Sequence, residues 1–560
     1  MKKLTALASA FMITWLNFLP VEACTNILIT KNASVDGSTM ISYAADSHDL
    51  YGELYFWPAA TYDDGALLDV HEWDTGKYLG QIAQAKQTYS VIGNMNEHQV
   101  TIGETTFGGR EELQNPEGLI DYGSLIYIAL QRSRTAREAI KIMTSLVEEY
   151  GYYSSGESFS IADANEVWIM ELIGKGKGIK GANWVAIQIP DGYVSAHANQ
   201  ARITTFEFQK ENRFNDPAAK VFHSKDVYEF AKEKGYFEGK KKDFSFSDAY
   251  APIDFGAVRF CEARVWSAFN IMNPEEMGDY VEYAQGNSTN RMPLFIKPNR
   301  KVSHRDVMNI MRDHYEDTPL DMTKDAGAGP YGIPYRFRPL TWKVDDETYF
   351  NERAIATQQT GFSFVAQMRN WLPSHIGGIF WFGVDDAAST VYMPMYAGML
   401  NVPHCVSQGN GDLLTFSWDA SFWVFTWVSN QAYSRYNFMI EDIKKVQKEL
   451  EDNLTAYTVA IDQSAKALYD QNPDLARQFL TDFSCNQAEI VTDRWRSLGE
   501  FLLVKYNDGN LHEEENGVFK RNEHGNPAHA KFPGYSEDFY RSVVKDAGDK
   551  LKMRELPKSK

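Results

Sequence analysis

Apolar residues are distributed along the chain in two rhythms. Residues 24–30 (C-T-N-I-L-I-T) form a short β-branched run. Turn chemistry follows at 32–37 (N-A-S-V-D-G), and a return run at 38–43 (S-T-M-I-S-Y). This spacing predicts a β-hairpin turning at Asp36-Gly37. Residues 120–150 switch to helical spacing. Their second half opens with a Thr135-x-x-Glu138 capping box, followed by Ala139, Ile140, Met143, Leu146 and Val147 on one face. Strand-like sequence returns over 157–203, a helix is predicted over 302–314, and strands over 357–367 and 377–396. From about 427 the chain reads as helical. Residues 440–468 are amphipathic, and Asn472-Pro473 starts another helix by cap and N1 proline. Strands, helices and strands in succession predict an α+β layered fold. No internal repeat is present.

Composition narrows the function classes. The chain has 560 residues, 44% hydrophobic, with 75 acidic against 56 basic side chains and a net charge of −19. A nucleic-acid binder needs clustered Lys and Arg. The most compact basic cluster, Lys240 to Lys242, runs into acidic and aromatic residues and reads as a solvated loop. Four cysteines in this length do not make a disulfide framework. One bridge among Cys261, Cys405 and Cys485 and buried free thiols are both open readings. Two G-x-G-x-x-G strings (176–181 and 327–332) do not open a helix after a strand, so neither fits a dinucleotide fingerprint. His314, between Asp313 and Glu316, has no standard metal-ligand spacing and reads as a hydrogen-bonding residue. No metal or cofactor is expected. The 13 Trp, 30 Tyr and 33 Phe are spread along apolar segments and read mostly as core.

The N-terminus carries the chemistry. Lys2 and Lys3 precede an apolar run over 4–19, and Val21 and Ala23 suit a signal peptidase at −3 and −1. The run is short for a membrane span, and no later segment reaches one. The expected product is exported and begins at Cys24. Cys24 is then either a lipidated anchor, which Glu22 at −2 suits poorly, or a free terminal cysteine with a thiol and an α-amine on one residue. A model thiol titrates near about 8.5 and an α-amine near about 7.7–8.0. The amine can take the thiol proton and return it to a leaving nitrogen without a histidine. Asp46, just past the return strand, is placed to hold that amine.

The stretch 24–46 resembles the start of the exported cysteine dipeptidases among the N-terminal-nucleophile (Ntn) hydrolases, relatives of penicillin V acylase and bile salt hydrolase. The resemblance continues through N-E-H (96–98) with V-T-I-G-E-T-T-F (100–107), and D-A-N-E-V-W-I-M-E (163–171). It extends through S-A-H-A-N-Q-A-R (195–202), R-D-H-Y-E-D-T (312–318), F-W-F (380–382) and V-Y-M-P-M-Y-A-G (391–398). It implies a four-layer α-β-β-α sandwich with two antiparallel sheets over 24–426. A helical extension over 427–507 and a polar tail over 508–560 would follow. It implies Cys24 as nucleophile, Asp46 as the acid orienting the amine, and an oxyanion hole from the Thr106 backbone N–H and the Asn199 amide. Arg259, in G-A-V-R-F, is the best match for an active-site arginine, with Arg264 the near alternative. Tyr43 stands where the acylase relatives carry Arg. The expected activity is hydrolysis of dipeptides or short peptides. The alternatives are an acylase on non-peptide amides (bile acid conjugates, penicillins) and a non-catalytic surface lipoprotein binding peptides or glycans. A small peptide is the expected partner, with no nucleic acid and no stable membrane span; a homo-oligomer is compatible with the sequence.

Overall fold

A computed structural model describes residues 24–556; the expected export signal lies outside the described residues. The hairpin forms, but its connection over 30–38 holds a 3-10 turn at Lys31–Ala33 and is wider than a turn at Asp36-Gly37 alone. Strands β1 (Thr25–Ile29) and β2 (Thr39–Asp46) pair antiparallel, Asn26 opposite Tyr43. In chain order follow β3 (Phe56–Trp57), β4 (Val91–Ile92), β5 (Met95–Asn96), β6 (Thr101–Gly108), β7 (Gly156–Ala162), β8 (Val167–Gly174) and β9 (Ala182–Gln188). Then come β10 (Val194–His197), β11 (Val221–His223), β12 (Phe295–Ile296), β13 (Thr360–Met368), β14 (Gly378–Val384) and β15 (Met393–Tyr396). They form two large antiparallel sheets. The seven-stranded sheet has the order β12-β10-β1-β2-β13-β14-β15; the eight-stranded one has β11-β9-β8-β7-β6-β5-β4-β3. The fold is α+β.

The central strands are buried along their whole length, because both faces are covered. β1 and β2 pack against β6 of the other sheet. Gly103 in β6 makes that approach close: a Cβ there would lie 2.7 Å from the Asn26 Nδ2 and 3.3 Å from the Tyr43 Cβ. His197 pins the sheets, Nδ1 at 2.7 Å from the Thr105 hydroxyl and Nε2 at 2.7 Å from the Ser160 hydroxyl. Burial lowers this imidazole to about 3, so it stays neutral.

The predicted helix over 120–150 is two helices, α1 (Tyr122–Arg132) and α2 (Ala136–Tyr150), packed on the eight-stranded sheet. Asp121 caps the first and Thr135 the second, and Ser133 between them is extended. The predicted helix over 302–314 contracts to His304–Ile310 behind a Ser303/Asp306 capping box. Helix α3 (Ala263–Met272) lies against β10. The C-terminal helices α4 (Ser421–Tyr433), α5 (Tyr436–Tyr469) and α6 (Pro473–Lys505) pack on one another and on β14 and β15. Helix α4 begins before the expected residue 427: its start, S-F-W-V-F, is too apolar to show a period, and Phe422, Val424 and Phe425 are all buried. All four cysteines are free thiols. Among the described residues, no helix is long and apolar enough to cross a membrane.

Candidate active site

Cys24 immediately precedes β1 and is 5% exposed. Its Sγ lies 3.7 Å from the Tyr43 hydroxyl and 3.7 Å from Glu104 Oε1. β2 ends at Asp46, and the Asp46 backbone N–H points to the thiol. Burial pushes the Cys24 thiol well up, and the Glu104 and Asp46 carboxylates push it further. At rest the sulfur therefore keeps its proton, and a thiol held this way becomes a nucleophile only when a base draws that proton off.

Asp46 is held on both oxygens. Thr360 donates to Oδ1 at 2.6 Å and the Arg353 guanidinium donates to Oδ2. Both members of this ion pair are buried. The pairing follows from register, since Thr360 on β13 lies opposite Asp46.

β10 runs from Val194 to His197 and leads into Asn199, whose φ of 58° is left-handed. Asn tolerates that conformation better than most residues. The turn aims the amide at β6, and Asn199 Nδ2 donates to the Thr106 carbonyl at 2.8 Å. The Thr106 hydroxyl donates to Glu157 Oε1 at 2.9 Å.

Of the two arginines read from the sequence, Arg264 is the one that reaches Cys24. It is fully buried on α3. It donates to the Cys24 carbonyl, to Thr25 Oγ1 at 2.8 Å and to Asn199 Oδ1 at 2.9 Å. Arg259 points elsewhere: it pairs with Glu352 and lies over the Phe350 ring at 5.0 Å. The cause is a π-helical segment, Ala257–Glu262, directly before α3. Its wider turn changes the angle between the two side chains, which residue spacing alone does not reveal.

The remaining sequence-derived residues Cys24, Asp46, Thr106 and Asn199 are brought into one connected region. Glu104, Glu157 and Arg353 were missed. Glu104 carried a signal, as a carboxylate inside the run V-T-I-G-E-T-T-F, whereas Glu157, flanked by Ser and Gly, carried little. Arg353 carried none, because 307 residues separate it from Asp46.

A cavity of about 640 Å³ opens beside Asn199, lined also by Phe107, Phe260, His48, Asp49 and Arg338. Arg338 donates from Nε to Gln359 Oε1 at 3.0 Å. Gln359 in turn donates to the Asp46 carbonyl at 3.4 Å. Burial, then the neighbouring Arg353, lowers Arg338 to about 10. Arg338 thus remains charged at neutral pH and places a cation on the cavity wall, which Asp49 and Asp254 also line. His314 lies apart, its Nδ1 3.0 Å from Glu316 Oε1, and holds that carboxyl down at about 2.

Comparison with known proteins gives a consistent result. The sequence profile of peptidase family C69 matches residues 23–56 and 53–449. A "Probable dipeptidase" of Latilactobacillus sakei is 26% identical over 399 residues, covering 68% of this chain and 75% of that protein. A "Probable dipeptidase" of Salmonella dublin is 24% identical over 411 residues, 70% and 84% of the two chains. "Dipeptidase A" of Lactobacillus helveticus is 23% identical over 401 residues, 68% and 76%.

Proposed function

The chain belongs to peptidase family C69, and on that premise we propose that it is a dipeptidase whose nucleophile is the thiol of Cys24, exposed as the first residue when the leader over 1–23 is removed during export. The observation that carries the reading is the set of groups around Cys24. A sulfur, a buried carboxylate (Asp46) and an amide donor (Asn199) are held together by Arg264 and Arg353. The layered contacts of the two sheets with α1 and α2 on one side and α3 to α6 on the other support a four-layer Ntn-hydrolase sandwich.

In this mechanism Sγ attacks the scissile carbonyl carbon. Negative charge develops on the carbonyl oxygen and is met by the Asn199 amide and the Thr106 N–H. Within a strand, N–H and C=O of one residue point to the same edge. The Thr106 carbonyl is turned to Asn199, so its N–H faces that side too. Arg264 fixes the Asn199 amide by holding its oxygen, which leaves the nitrogen as the donor end. The terminal α-amine of Cys24, oriented by Asp46, gives a proton to the leaving nitrogen and later takes one from the attacking water.

The cavity beside Asn199 is the substrate pocket in this reading. Its Arg338 wall suits the free carboxylate of a dipeptide's leaving residue. The test is hydrolysis of unblocked dipeptides by exported protein whose N-terminus has been determined by mass spectrometry. A terminal Cys24 with a free amine, and activity lost in Cys24→Ala, are expected. An acylated Cys24, or activity that persists in Cys24→Ala, overturns the reading.

A further inference from the structure

Two buried acids beneath Cys24 have no part in the scheme above. Glu104 on β6 and Glu157 on β7 are 2% and 1% exposed. Glu104 Oε1 receives the Tyr43 hydroxyl at 2.5 Å and lies 3.7 Å from the Cys24 sulfur. Glu157 Oε1 receives the Thr106 hydroxyl at 2.9 Å. The Oε2 atoms of both have no donor facing them. The two carboxyl groups stand within hydrogen-bonding reach of each other. Two buried carboxylates in contact cannot both stay charged, and one proton between them supplies the missing donor.

We propose, resting on the Cys24 reading, that Glu104 is the acceptor of the thiol proton, with Glu157 holding a proton beside it and Tyr43 positioning its carboxylate. The balance then runs through two groups instead of one. As Sγ bonds to the carbonyl carbon, the S–H proton passes to Glu104 Oε1. The α-ammonium protonates the leaving nitrogen when the C–N bond breaks. The neutral α-amine takes a proton from water as its oxygen attacks the thioester carbon. When the C–S bond breaks, the proton on Glu104 returns to sulfur. Atoms and protons close, and no oxidant, metal or further base is required.

The division has a physical advantage. An α-amine with an ordinary value of about 7.7–8.0 is mostly ammonium at neutral pH. It suits the acid's task there and the base's task poorly. Burial raises Glu104 to about 7, with the Tyr43 hydrogen bond opposing that rise. Burial and the charge of Glu104 raise Glu157 well above the carboxylate range, which keeps it the protonated partner. The groups facing Glu104 are Cys24 on the strand entry, Tyr43 on β2, Glu157 on β7, and Asp74 from the loop before β4; Tyr152 is also within its electrostatic reach. No side-chain cation is among those named neighbours; the one cation the mechanism places there is the α-ammonium of Cys24 itself, and the proton shared by Glu104 and Glu157 limits the pair to a single negative charge beside it.

The test is the pH profile of kcat/KM for one dipeptide in wild type, Glu104→Gln, Tyr43→Phe and Glu157→Gln. Glu104→Gln is expected to lose about 10²-fold or more at pH 7, and its acidic limb to move up to the range of the α-amine. Tyr43→Phe removes a donor to Glu104, so its acidic limb also moves up, while kcat/KM at the maximum of the bell-shaped profile stays within a few-fold. Glu157→Gln keeps a neutral donor beside Glu104, so its acidic limb is expected to stay near the wild-type position; a limb that moves as far as in Glu104→Gln would make Glu157 the acceptor and overturns the assignment. An unmoved acidic limb in Glu104→Gln, with kcat/KM within twofold, overturns the assignment. If that variant does not fold, an unmoved limb in Tyr43→Phe overturns it. Activity that persists in Cys24→Ala is a separate result: it removes the cysteine reading itself, whatever the acids do.

Discussion

The two sides of Cys24 are charged oppositely. On the side of β6 and β7 lie Glu104, Glu157 and Tyr43, all acids and all buried. On the side of α3 and β13 lie Arg264 and Arg353, with Arg338 beyond them and Asp46 among them. The difference follows from access. The acid side is closed between sheet and helices, so its charge is limited by proton sharing. The basic side borders the cavity at Arg338, where the proposed mechanism places the substrate's carboxylate. In the proposed mechanism one side handles protons, and the other meets the substrate's carboxylate.

The comparison breaks most sharply at the sulfur. Cys24→Ala leaves both sides in place and removes the group they serve, so dipeptide hydrolysis should fall by about 10⁴-fold or more. Steady-state kinetics on variant protein with a wild-type circular dichroism spectrum checks this.

Asn199→Ala tests the basic side at the oxyanion. Loss of one preorganised donor costs about 2.7–4 kcal/mol of barrier, or about 10²–10³ in kcat. A fall in KM affinity without a fall in kcat would assign Asn199 to substrate binding instead. Asp46→Asn acts on the same side through stability. It leaves the buried Arg353 without its counter-charge, and breaking such a pair costs about 3–5 kcal/mol. Chemical denaturation should show a lowered midpoint with an unchanged slope.

Arg338→Ala sharpens the contrast further out. KM for an unblocked dipeptide should rise about tenfold or more, while KM for the same dipeptide with a C-terminal amide should stay level. Equal changes for both substrates would show that Arg338 does not meet the carboxylate.

The smallest effect belongs to the acid side and to pH. Glu157 titrates higher in the folded chain than in the unfolded one, where a glutamate sits near about 4.3. Above the unfolded value the native state therefore binds more protons than the unfolded state. Stability contributed by this group is full below about 4.3 and declines as pH rises toward the folded value. The melting temperature of wild type relative to Glu157→Gln should thus fall between pH 5 and pH 8. A difference that stays constant across that range would mean that Glu157 is not protonated in the fold.

Local features were fixed by residues close together in sequence. The turn residues over 32–37 with their flanking β-branched runs determined the β1–β2 hairpin, and with it the placing of Cys24 near the end of β2. Thr135 and Glu138 determined where α2 starts, and Asn472-Pro473 where α6 starts. These depend on hydrogen bonds within a few residues, so their signals are short and readable. Cys24 and Asp46 were readable from the hairpin, at its start and at the end of its return strand, whereas Thr106 and Asn199 were read only through the family resemblance. Only tertiary structure decided which arginine contacts Cys24, because a π-helical turn changes the angle between Arg259 and Arg264. Only it brought Arg353 to Asp46 from 307 residues away, and Glu104 to Glu157 and the sulfur. A buried charge is tolerated according to what the rest of the chain packs beside it, and that is a property of the fold rather than of any short stretch of sequence.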